Sequence, residues 1–368
     1  MHSTTRLIRS TVTPAKPGEP IHSGPVFASP FHVPGDPADS PYTYARSHNP
    51  TWTELETAIS LLEHPKAKTR VFPSGMAAVA AIFGAVLRPN DIVVVPDSSY
   101  YAARVLLKGY YAEMGVSVRA VPTAQLGEPS VLAGARLLWV ETPSNPSLEI
   151  SDIAALCQVA HEGGTLVAVD NTTPTALGQS PLSLGADFSM ASDSKSMTGH
   201  SDLLMGHVSV RSPELFSKID DYRTLHGAVL GPMEAWLALR SMATLPLRLE
   251  RSCANAQAIA EFLTTRSEVS EVLYPGLPGH PDHTVAVRQM AFFGPVLSFT
   301  LASEEAANRF LATSKLITNA TSFGGISTSG ERRARWGHDR IHPGFIRLSA
   351  GCEHIDDLLA DIAQALTA

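Results

Sequence analysis

Residues 165–195 read TLVAVDNTTPTALGQSPLSLGADFSMASDSK, and this stretch decides the fold class. TLVAVDNT is a short apolar run that ends in Asp170, and ADFSMASDSK is a second run that leads to Lys195. Short apolar runs rich in valine and leucine are typical of strands that are buried on both faces of a parallel sheet. The stretch therefore predicts two strands of an α/β sheet, each followed by a polar side chain.

The same pattern extends on both sides, from about Arg70 to Val210. Further strands are predicted at DIVVVPD (91–97), VSVRAVP, RLLWVETP and LMGHVSVR. Helices are predicted at SGMAAVAAIFGAVL (74–87) and at the amphipathic ISDIAALCQVAHEGG. Alternation of strands and helices predicts an α/β domain with a largely parallel sheet that is covered by helices on both faces.

The two ends of the chain differ from the middle in composition and in the elements that they predict. Residues 1–50 are rich in Pro, Gly, Ser and His, which predicts an extended arm, and Thr53 with Glu56 predicts a capping box where a helix begins. After about residue 212, EAWLALRSMATLPLRLERSCANAQAIAEFLTTR predicts one or two long helices. EVLYPG, VLSFTLA and GFIRLSAG predict strands, and HIDDLLADIAQAL predicts a terminal helix. We therefore expect an arm (1–50), a ligand-binding α/β domain (51–230) and a smaller α+β domain (231–368).

Composition excludes several classes of protein. The chain has 368 residues, of which 44% are hydrophobic and 17% charged, so it can bury a large core and does not have the composition of a disordered protein. Its 28 basic and 35 acidic residues give a net charge of −7, which argues against nucleic acid or an anionic membrane as the partner. No apolar run approaches the roughly 18 residues of a membrane span, and the N-terminus has no apolar signal core.

The cysteines predict a reducing compartment. Cys157, Cys253 and Cys352 are odd in number, and their spacing does not fit a zinc site. We therefore expect free, buried thiols in a cytoplasmic protein without a structural metal.

Polar residues that directly follow the apolar runs are the candidates for chemistry, because ligands bind at the carboxyl ends of strands in open α/β sheets. Singly, each has an ordinary explanation, such as a helix cap or a surface lysine. Together they form a set in which a lysine forms a Schiff base, an aspartate keeps a pyridine nitrogen protonated, and a helix N-terminus with two hydroxyls holds a phosphate. Pyridoxal 5′-phosphate (PLP) requires this set. The candidates are Ser74-Gly75-Met76, Tyr100, Asp170 and Ser192-x-Ser194-Lys195.

Seven stretches carry a family resemblance in the expected order. They are YTYARSHNPT, FPSGMAAVAA, PDSSYYAA, VETPSNPSLEISDI, VAVDNTTPTALGQSP, SDSKSMTGHSDLLMG, and SFGG followed by IRLSAGCEHIDDLLADI. From Tyr42 to the last helix the chain resembles the Cys/Met-metabolism PLP-dependent enzymes, which include cystathionine γ-synthase, cystathionine β- and γ-lyases and methionine γ-lyase. The resemblance implies the fold-type I PLP-dependent transferase fold, with a mostly parallel seven-stranded sheet in the large domain.

The resemblance also implies roles for single residues around the cofactor. Lys195 is the Schiff-base lysine and the later proton shuttle, Asp170 pairs with the pyridine nitrogen, and Tyr100 stacks on the ring. Asn145 lies near the 3′-oxygen of the ring. The phosphate is held by Gly75, Met76, Ser192 and Ser194, and by Tyr44 and Arg46 of a neighbouring subunit.

For the substrate, the resemblance implies that Arg347 binds the α-carboxylate as a fork, assisted by the backbone of Ser322 and by Asn145. Arg347 lies in GFIRLSAG, where the following sequence has no acid until Glu353. From this spacing we expect the charge of Arg347 to be available to an anion.

The sequence departs from the family pattern in the part that lines the distal substrate cleft. Tyr101-Ala102 stands where the family has Gly-Gly or Gly-Cys. Ser327 replaces a glutamate, and GERRARWGHDR replaces the H-P-A-x-M-T-H segment. The run Arg332, Arg333 and Arg335 is either a solvated helix face or a site for a distal carboxylate.

The expected function is carbon–sulfur lysis, with L-cystathionine converted to L-cysteine, 2-oxobutanoate and ammonia by a homotetramer built as a dimer of dimers. Cystathionine γ-synthase, methionine γ-lyase and a cysteine or cystathionine β-lyase are the alternatives within the family. A non-catalytic protein with the PLP fold is disfavoured by the intact set of Lys195, Asp170, Tyr100 and Arg347. A Rossmann-type nucleotide binder is disfavoured because no G-x-G-x-x-G follows the first strand.

Overall fold

The computed structural model describes residues 2–12, 17–337 and 341–368 of the chain. Parts of the predicted arm (1 and 13–16) and the end of GERRARWGHDR (338–340) lie outside the described residues. The helices are α1 (Ser3–Ser10), α2 (Pro50–Glu63), α3 (Gly75–Val86), α4 (Tyr101–Leu106), α5 (Pro129–Leu132), α6 (Ile153–Glu162), α7 (Thr175–Gly178), α8 (Pro213–His226), α9 (Pro232–Met242), α10 (Leu245–Thr264), α11 (His283–Gln289), α12 (Glu304–Thr313) and α13 (Ile355–Thr367). A π-helical turn, Leu107–Tyr111, extends α4, and 3₁₀ turns lie at Pro37–Asp39, Thr123–Gln125 and Arg333–Trp336.

The strands form two sheets. They are β1 (Lys68–Phe72), β2 (Ile92–Pro96), β3 (Ser117–Val121), β4 (Ala135–Glu141), β5 (Leu166–Asp170), β6 (Phe188–Ala191), β7 (Gly206–Val210), β8 (Val269–Leu273), β9 (Val296–Leu301), β10 (Thr318–Asn319), β11 (Ser329–Arg332) and β12 (Phe345–Ser349). In the described part of the chain, the larger sheet has seven strands in the order β1-β7-β6-β5-β4-β2-β3. The smaller sheet has the order β10-β11-β12-β9-β8.

The larger sheet is mostly parallel, as predicted. Strand β2 pairs in parallel with β3 and β4, and β5 pairs in parallel with β4 and β6. Strand β7 is antiparallel to both β6 and β1. Strand β1 was not predicted, because its sequence KTRVF contains two cations and is not a continuous apolar run, as suits a strand at the edge of the sheet.

Helices cover both faces of this sheet, also as predicted. Along β4, Leu137 and Trp139 pack with α3 and α8, whereas Leu138 and Val140 pack with α6. This alternation follows from the twofold side-chain period of a strand. It places the carboxyl ends of β4, β5 and β6 at one open edge of the sheet, between the two layers of helices.

The smaller sheet contains the three strands predicted from EVLYPG, VLSFTLA and GFIRLSAG, and the predicted long-helix region is two helices, α9 and α10. Two strands were missed, since β10 has two residues and β11 lies in a polar segment. Strand β11 matters for function because its register places Glu331 directly opposite Arg347 on β12.

The N-terminal region corrects two predictions. Residues 3–10, predicted as part of an extended arm, form helix α1, and Leu7 is only 1% exposed where it packs with Trp52 and Leu55 of α2. A helix of this length is marginal alone, so it depends on that tertiary contact and leaves little periodicity in the sequence.

The predicted capping box is also wrong. Helix α2 begins at Pro50, and Asn49 is its N-cap, with the Asn49 side chain accepting the Thr51 amide at 2.9 Å. Glu56 instead accepts hydrogen bonds from the Val71 amide at 3.1 Å and from Arg223 at 2.7 Å.

The domain boundaries at residues 50/51 and 230/231 stay a prediction. Helix α9, which would open the smaller domain, packs through Ala235 and Leu239 in the same apolar cluster as Leu55 and Ile59 of α2.

Candidate active site

A cavity of about 400 Å³ lies at the carboxyl ends of the large-sheet strands, with residues of the smaller sheet on its other side. It brings together most of the residues singled out in the sequence, and it adds others that were not. The lining residues are Ser74, Gly75, Met76, Val79, Tyr100, Tyr101, Glu141, Asn145, Asp170, Thr172, Thr173, Met190, Ser192, Ser194, Lys195, Leu204, Thr321, Ser322, Phe323, Arg333, Trp336 and Arg347.

The N-terminus of α3 forms an anion cradle at one end of the cavity. Ser74 is the N-cap, and its Oγ accepts the Ala77 amide at 3.0 Å. The amides of Gly75 and Met76 belong to the first turn and have no acceptor within the helix. A Cβ at residue 75 would lie 2.5 Å from the Cβ of Ser192, so only glycine allows the two segments to approach this closely. The dipole of α3 and the amides of Gly75 and Met76 together favour the binding of a phosphate.

The loop that follows β6 carries Ser192, Ser194 and Lys195. The Ser192 amide donates to Thr172 Oγ1 at 2.8 Å, which ties this loop to the end of β5. Ser194 Oγ donates to the carbonyl of Met205 at 3.2 Å and accepts the Met205 amide at 3.0 Å. The Ser194 hydroxyl therefore already bonds the backbone, whereas the described residues supply no such bond to the Ser192 hydroxyl.

A buried charged triad lies within and behind this loop, and the sequence analysis missed it. His207 of β7 contacts both oxygens of Asp193 through Nδ1 at 2.9 Å, and its Nε2 contacts Glu63 Oε1 at 3.0 Å. All three side chains are fully buried. Although burial opposes protonation, Asp193 and Glu63 raise the pKa of His207 to about 10, so the imidazole is charged at neutral pH. The triad thereby fixes the position of Asp193, which lies between Ser192 and Ser194 in the loop.

Asp170 and Lys195 lie in the same cavity and influence each other. The amide and hydroxyl of Thr172 both donate to Asp170 Oδ1, at 3.0 and 2.5 Å. Burial raises the pKa of Asp170, opposed by these two bonds and by the charge of Lys195. Burial and then the charge of Arg347 lower the pKa of Lys195, and Asp170 opposes this shift. A lysine with a lowered pKa supplies more of the neutral amine that attacks an aldehyde.

Glu141 is a further buried carboxylate that sequence reasoning did not single out. It lies opposite Asp170 in the register of β4 and β5 and accepts the amides of Tyr100 and of Asn145, the latter at 3.1 Å. Burial and the neighbouring Asp170 raise its pKa well above the ordinary value. Glu141 thereby positions two predicted cofactor residues. The sequence signal for Glu141 was of the same kind as that for Asp170, because Glu141 is the carboxylate that ends the buried run RLLWVE.

Tyr100 precedes α4 and forms an edge-on pair with Tyr101 at a centroid distance of 5.2 Å. Burial, followed by Tyr101 and Glu141, raises the pKa of the Tyr100 phenol. The cavity wall here contains Tyr101, where the family pattern has glycine.

Arg347 corrects a prediction from the sequence. Its Nη2 contacts Glu331 Oε1 at 2.6 Å, so the nearest acid comes from the neighbouring strand and not from Glu353. Nη1 also donates to Asn145 Oδ1 at 2.8 Å, and Nη2 to the Ser322 carbonyl at 2.7 Å. Ser322 has a φ of 76°, a left-handed conformation that is uncommon for a residue with a side chain. The sequence could not show this ion pair because the strand that carries Glu331 was not predicted.

The three arginines of the run have different surroundings in the structure. Arg333 is 7% exposed and lines the cavity, which is not the position of a solvated helix face. Arg332 pairs with Glu304 at 2.7 Å, and the Arg335 side chain is 35% exposed.

Tyr44 and Arg46 do not line the cavity of their own chain. Tyr44 is 48% exposed, and Arg46 Nη1 donates to the carbonyl of Thr224 at 3.0 Å.

The donor set fits PLP: a buried amine at Lys195, a buried carboxylate at Asp170 and an anion cradle at the start of α3. Fold and site thus define a fold-type I PLP-dependent enzyme. The model of the family described as "Cys/Met metabolism PLP-dependent enzyme" matches residues 18–367, and the chain belongs to this family.

The relatives within the family are named for different reactions. A Streptomyces coelicolor protein provisionally named cystathionine gamma-lyase is 50% identical over 365 residues, which cover 98% of this chain and 93% of that protein. A cystathionine gamma-synthase of Mycobacterium tuberculosis is 38% identical, covering 88% of this chain and 86% of the synthase. The crystal structure of cystathionine gamma synthase from Xanthomonas oryzae in complex with cystathionine has a TM-score of 0.94 at 32% identity, covering 100% and 98% of the two chains. Across the residues the structure describes, no helix is long and apolar enough to span a membrane.

Proposed function

We propose that this chain is a PLP-dependent carbon–sulfur lyase that converts L-cystathionine to L-cysteine, 2-oxobutanoate and ammonia. The observation that carries the proposal is that one cavity contains Lys195, Asp170 and the buried guanidinium of Arg347. These groups can hold the cofactor and the α-carboxylate of an amino acid side by side. The Streptomyces coelicolor relative supports the choice of the lyase reaction.

In this proposal Lys195 Nζ would hold the cofactor covalently, and Asp170, whose Oδ1 already accepts two bonds from Thr172, would pair with its pyridine nitrogen. The amides of Gly75 and Met76, with Ser192 and Ser194, would hold the phosphate. Tyr100 would stack on the ring and Asn145 would lie near its 3′-oxygen, as the family resemblance implies. When bound, the cofactor supplies an electron sink for the bonds of the substrate α-carbon.

Lys195 also moves protons. Because burial and Arg347 lower the pKa of Lys195, its Nζ could take the substrate α-proton as a neutral base when it is not bonded to the cofactor. Arg347 orients the substrate through its α-carboxylate, with the Ser322 backbone and Asn145 on either side of the guanidinium. After giving up the α-proton, Lys195 Nζ would also take a proton from the β-carbon, and the γ-sulfur would then leave as a thiolate with the electron pair of the broken carbon–sulfur bond.

A second candidate is the γ-replacement reaction of a cystathionine γ-synthase, which shares the early steps. One observation favours it, the similarity of this chain to proteins named as cystathionine gamma-synthases. Ser327, at the position where the lyase pattern has glutamate, keeps all the alternatives within the family open. Methionine γ-lyase activity differs in the leaving group, β-lyase activity differs in the carbon from which the sulfur leaves, and both remain as outcomes of the test.

The proposal includes assembly and location. The exposure of Tyr44 and the position of Arg46 outside their own cavity support an arm that reaches the phosphate of a neighbouring subunit, in a dimer of dimers. Free thiols at Cys157, Cys253 and Cys352 support a reducing, cytoplasmic location.

Substrate profiling tests the proposal. The holoenzyme is incubated separately with cystathionine, cysteine, methionine, homocysteine and an O-acyl-homoserine with cysteine, and the keto acid or cystathionine formed is identified. We expect 2-oxobutanoate and cysteine from cystathionine. Pyruvate as the main product would indicate β-elimination, and cystathionine formed from O-acyl-homoserine without lysis would indicate the synthase. Lys195→Ala, prepared in the same way, is the control for background reaction.

A further inference from the structure

The loop after β6 is anchored in the interior of the protein, behind the cavity. Ser192 and Ser194 line the cavity, whereas Asp193, the residue between them, does not line it and is fully buried. An anchored side chain restricts the backbone on both sides of it. The contacts of Asp193 therefore bear on the placement of both serines that are assigned to the cofactor phosphate.

Asp193 is held through its side chain and through its backbone. Both carboxylate oxygens contact Nδ1 of His207 at 2.9 Å. The Asp193 carbonyl accepts the amide of Thr198 at 3.1 Å and its hydroxyl at 2.8 Å. The bonds to Thr198 close the turn that contains Lys195, so Asp193 fixes the loop on both sides of the serine that precedes this lysine.

The triad of Glu63, His207 and Asp193 has a net negative charge. Each ring nitrogen of His207 faces a carboxylate, and because an ionised carboxylate only accepts hydrogen bonds, the ring donates from both nitrogens and is a cation. Two carboxylates against one cation leave one negative charge, with all three side chains fully buried. A negative charge does not attract a phosphate, so the triad can favour phosphate binding only by positioning other groups.

Strand β7 connects the two halves of the anion cradle. Gly206, the residue before His207, lies against the start of α3, where a Cβ at residue 206 would be 2.8 Å from the Cα of Gly75. His207 in turn holds Asp193 of the loop. The same strand therefore contacts both the segment that supplies the free amides and the segment that supplies the Ser192 hydroxyl, and the bond between His207 and Asp193 fixes the spacing between them.

We propose that Glu63, His207 and Asp193 are positioning residues for the cofactor phosphate, and that the affinity which the phosphate adds to the cofactor depends on the contact between His207 and Asp193. This inference rests on the part of the proposed function that places the phosphate at Gly75 and Ser192, and it is independent of the reaction catalysed. A triad that only stabilised the fold would leave the contribution of the phosphate unchanged.

Comparison of PLP with pyridoxal, which lacks the phosphate, isolates this contribution. The full-length chain is freed of cofactor and titrated with each compound, and the dissociation constants are taken from the visible absorbance. The ratio of the pyridoxal constant to the PLP constant measures what the phosphate adds. Asp193→Ala should lower this ratio at least about tenfold, the effect of losing one charge-assisted hydrogen bond to the phosphate. Glu63 and His207 remain as a pair in this variant, so no buried charge is left without a partner.

Asp193→Asn separates position from charge. The asparagine Oδ1 can still accept the Nδ1 hydrogen of His207, but the negative charge of residue 193 is lost. Because the triad acts by position, the ratio in Asp193→Asn should stay within about threefold of wild type. A ratio that rises in both Asp193 variants would show that the charge, and not the position, affects the phosphate, and would overturn the proposal.

Asp361→Ala is the matched control for a general loss of stability. Asp361 of α13 is also a buried carboxylate that fixes backbone, since it accepts the amides of Lys315 and Leu316 at 2.9 Å, and it does not line the cavity. This variant should have a lowered melting temperature but a ratio within about twofold of wild type, because distant sites act independently.

The outcomes separate this inference from the proposed reaction, because no substrate enters the measurement. An unchanged ratio in folded Asp193→Ala, or an equal loss in Asp361→Ala, would overturn the inference and leave the reaction standing. A ratio that Asp193→Ala lowers, in a protein that does not cleave cystathionine, would refute the reaction and support the inference. Equal affinities of the wild type for PLP and pyridoxal would refute the placement of the phosphate, and with it the inference.

Discussion

Replacement of Arg347 by lysine is the most informative single change in the substrate site. The guanidinium has acceptors in three directions: Asn145 Oδ1 at 2.8 Å, the Ser322 carbonyl at 2.7 Å and Glu331 Oε1 at 2.6 Å. A lysine has one nitrogen and cannot reach both sides of this arrangement while it holds a carboxylate with two parallel bonds. One charge-assisted bond contributes about 1.5–3 kcal/mol. Because about 1.4 kcal/mol corresponds to a factor of ten, kcat/KM should fall about 10- to 150-fold.

The assay compares several amino-acid substrates and keeps the cofactor signal as an internal control. Every substrate has the α-carboxylate, so the loss should be of similar size for each, while the visible absorbance of the cofactor stays. Arg335→Lys is the matched control, since Arg335 bonds the same carboxylate from outside the cavity. We expect that variant to keep its kcat/KM within about twofold, because Arg335 is not among the residues that line the cavity and a lysine there keeps the positive charge beside Glu331. An unchanged kcat/KM in folded Arg347→Lys, with only a lowered melting temperature, would refute the role of Arg347 in substrate binding.

Three further changes test other parts of the site. Asp170→Asn should lower kcat by at least about 100-fold, because the amide cannot stabilise a protonated pyridine nitrogen, and a near-normal kcat would assign Asp170 another role. Co-expression of inactive Arg46→Ala with inactive Lys195→Ala should restore up to about a quarter of wild-type activity. About half of randomly formed dimers contain one subunit of each kind, and each such dimer has one intact site out of two. Full activity in a monomer would contradict this prediction. His207→Gln should cost about 3–5 kcal/mol in denaturant unfolding, because it leaves Asp193 and Glu63 buried without their cation. Folding raises the pKa of His207 from 6.5 to about 10. The difference in the free energy of unfolding between wild type and His207→Gln should therefore be largest below pH 6.5 and decrease as the pH rises towards 10. A difference that increases with pH would contradict the charged triad.

The larger sheet could be predicted because its strands are buried on both faces. Runs such as TLVAVD and RLLWVE have enough valine and leucine to identify them without knowledge of their neighbours, and the polar residue after each one lies at the same edge of the sheet. This reasoning located Asp170 and Lys195. Applied to the last residue of RLLWVE, it would also have located Glu141.

The features that were missed depend on contacts between distant segments. Strand β11 is a polar four-residue segment whose place is set by pairing with β12, so the contact between Glu331 and Arg347 had no local signal. The same holds for the triad, which joins Glu63, Asp193 and His207 from three elements. Helix α1 depends on the packing of Leu7 against α2, and eight residues are too few to show a helical period reliably.

The central claim is that Lys195 binds PLP covalently. It is tested most directly by reducing the holoenzyme with borohydride, digesting it and locating the modified peptide by mass spectrometry. We predict a single phosphopyridoxyl group on the Lys195 side chain, and no modification at any lysine of the Lys195→Ala protein treated in the same way. A reduced protein with unmodified Lys195, or with the group on another lysine, would contradict this prediction.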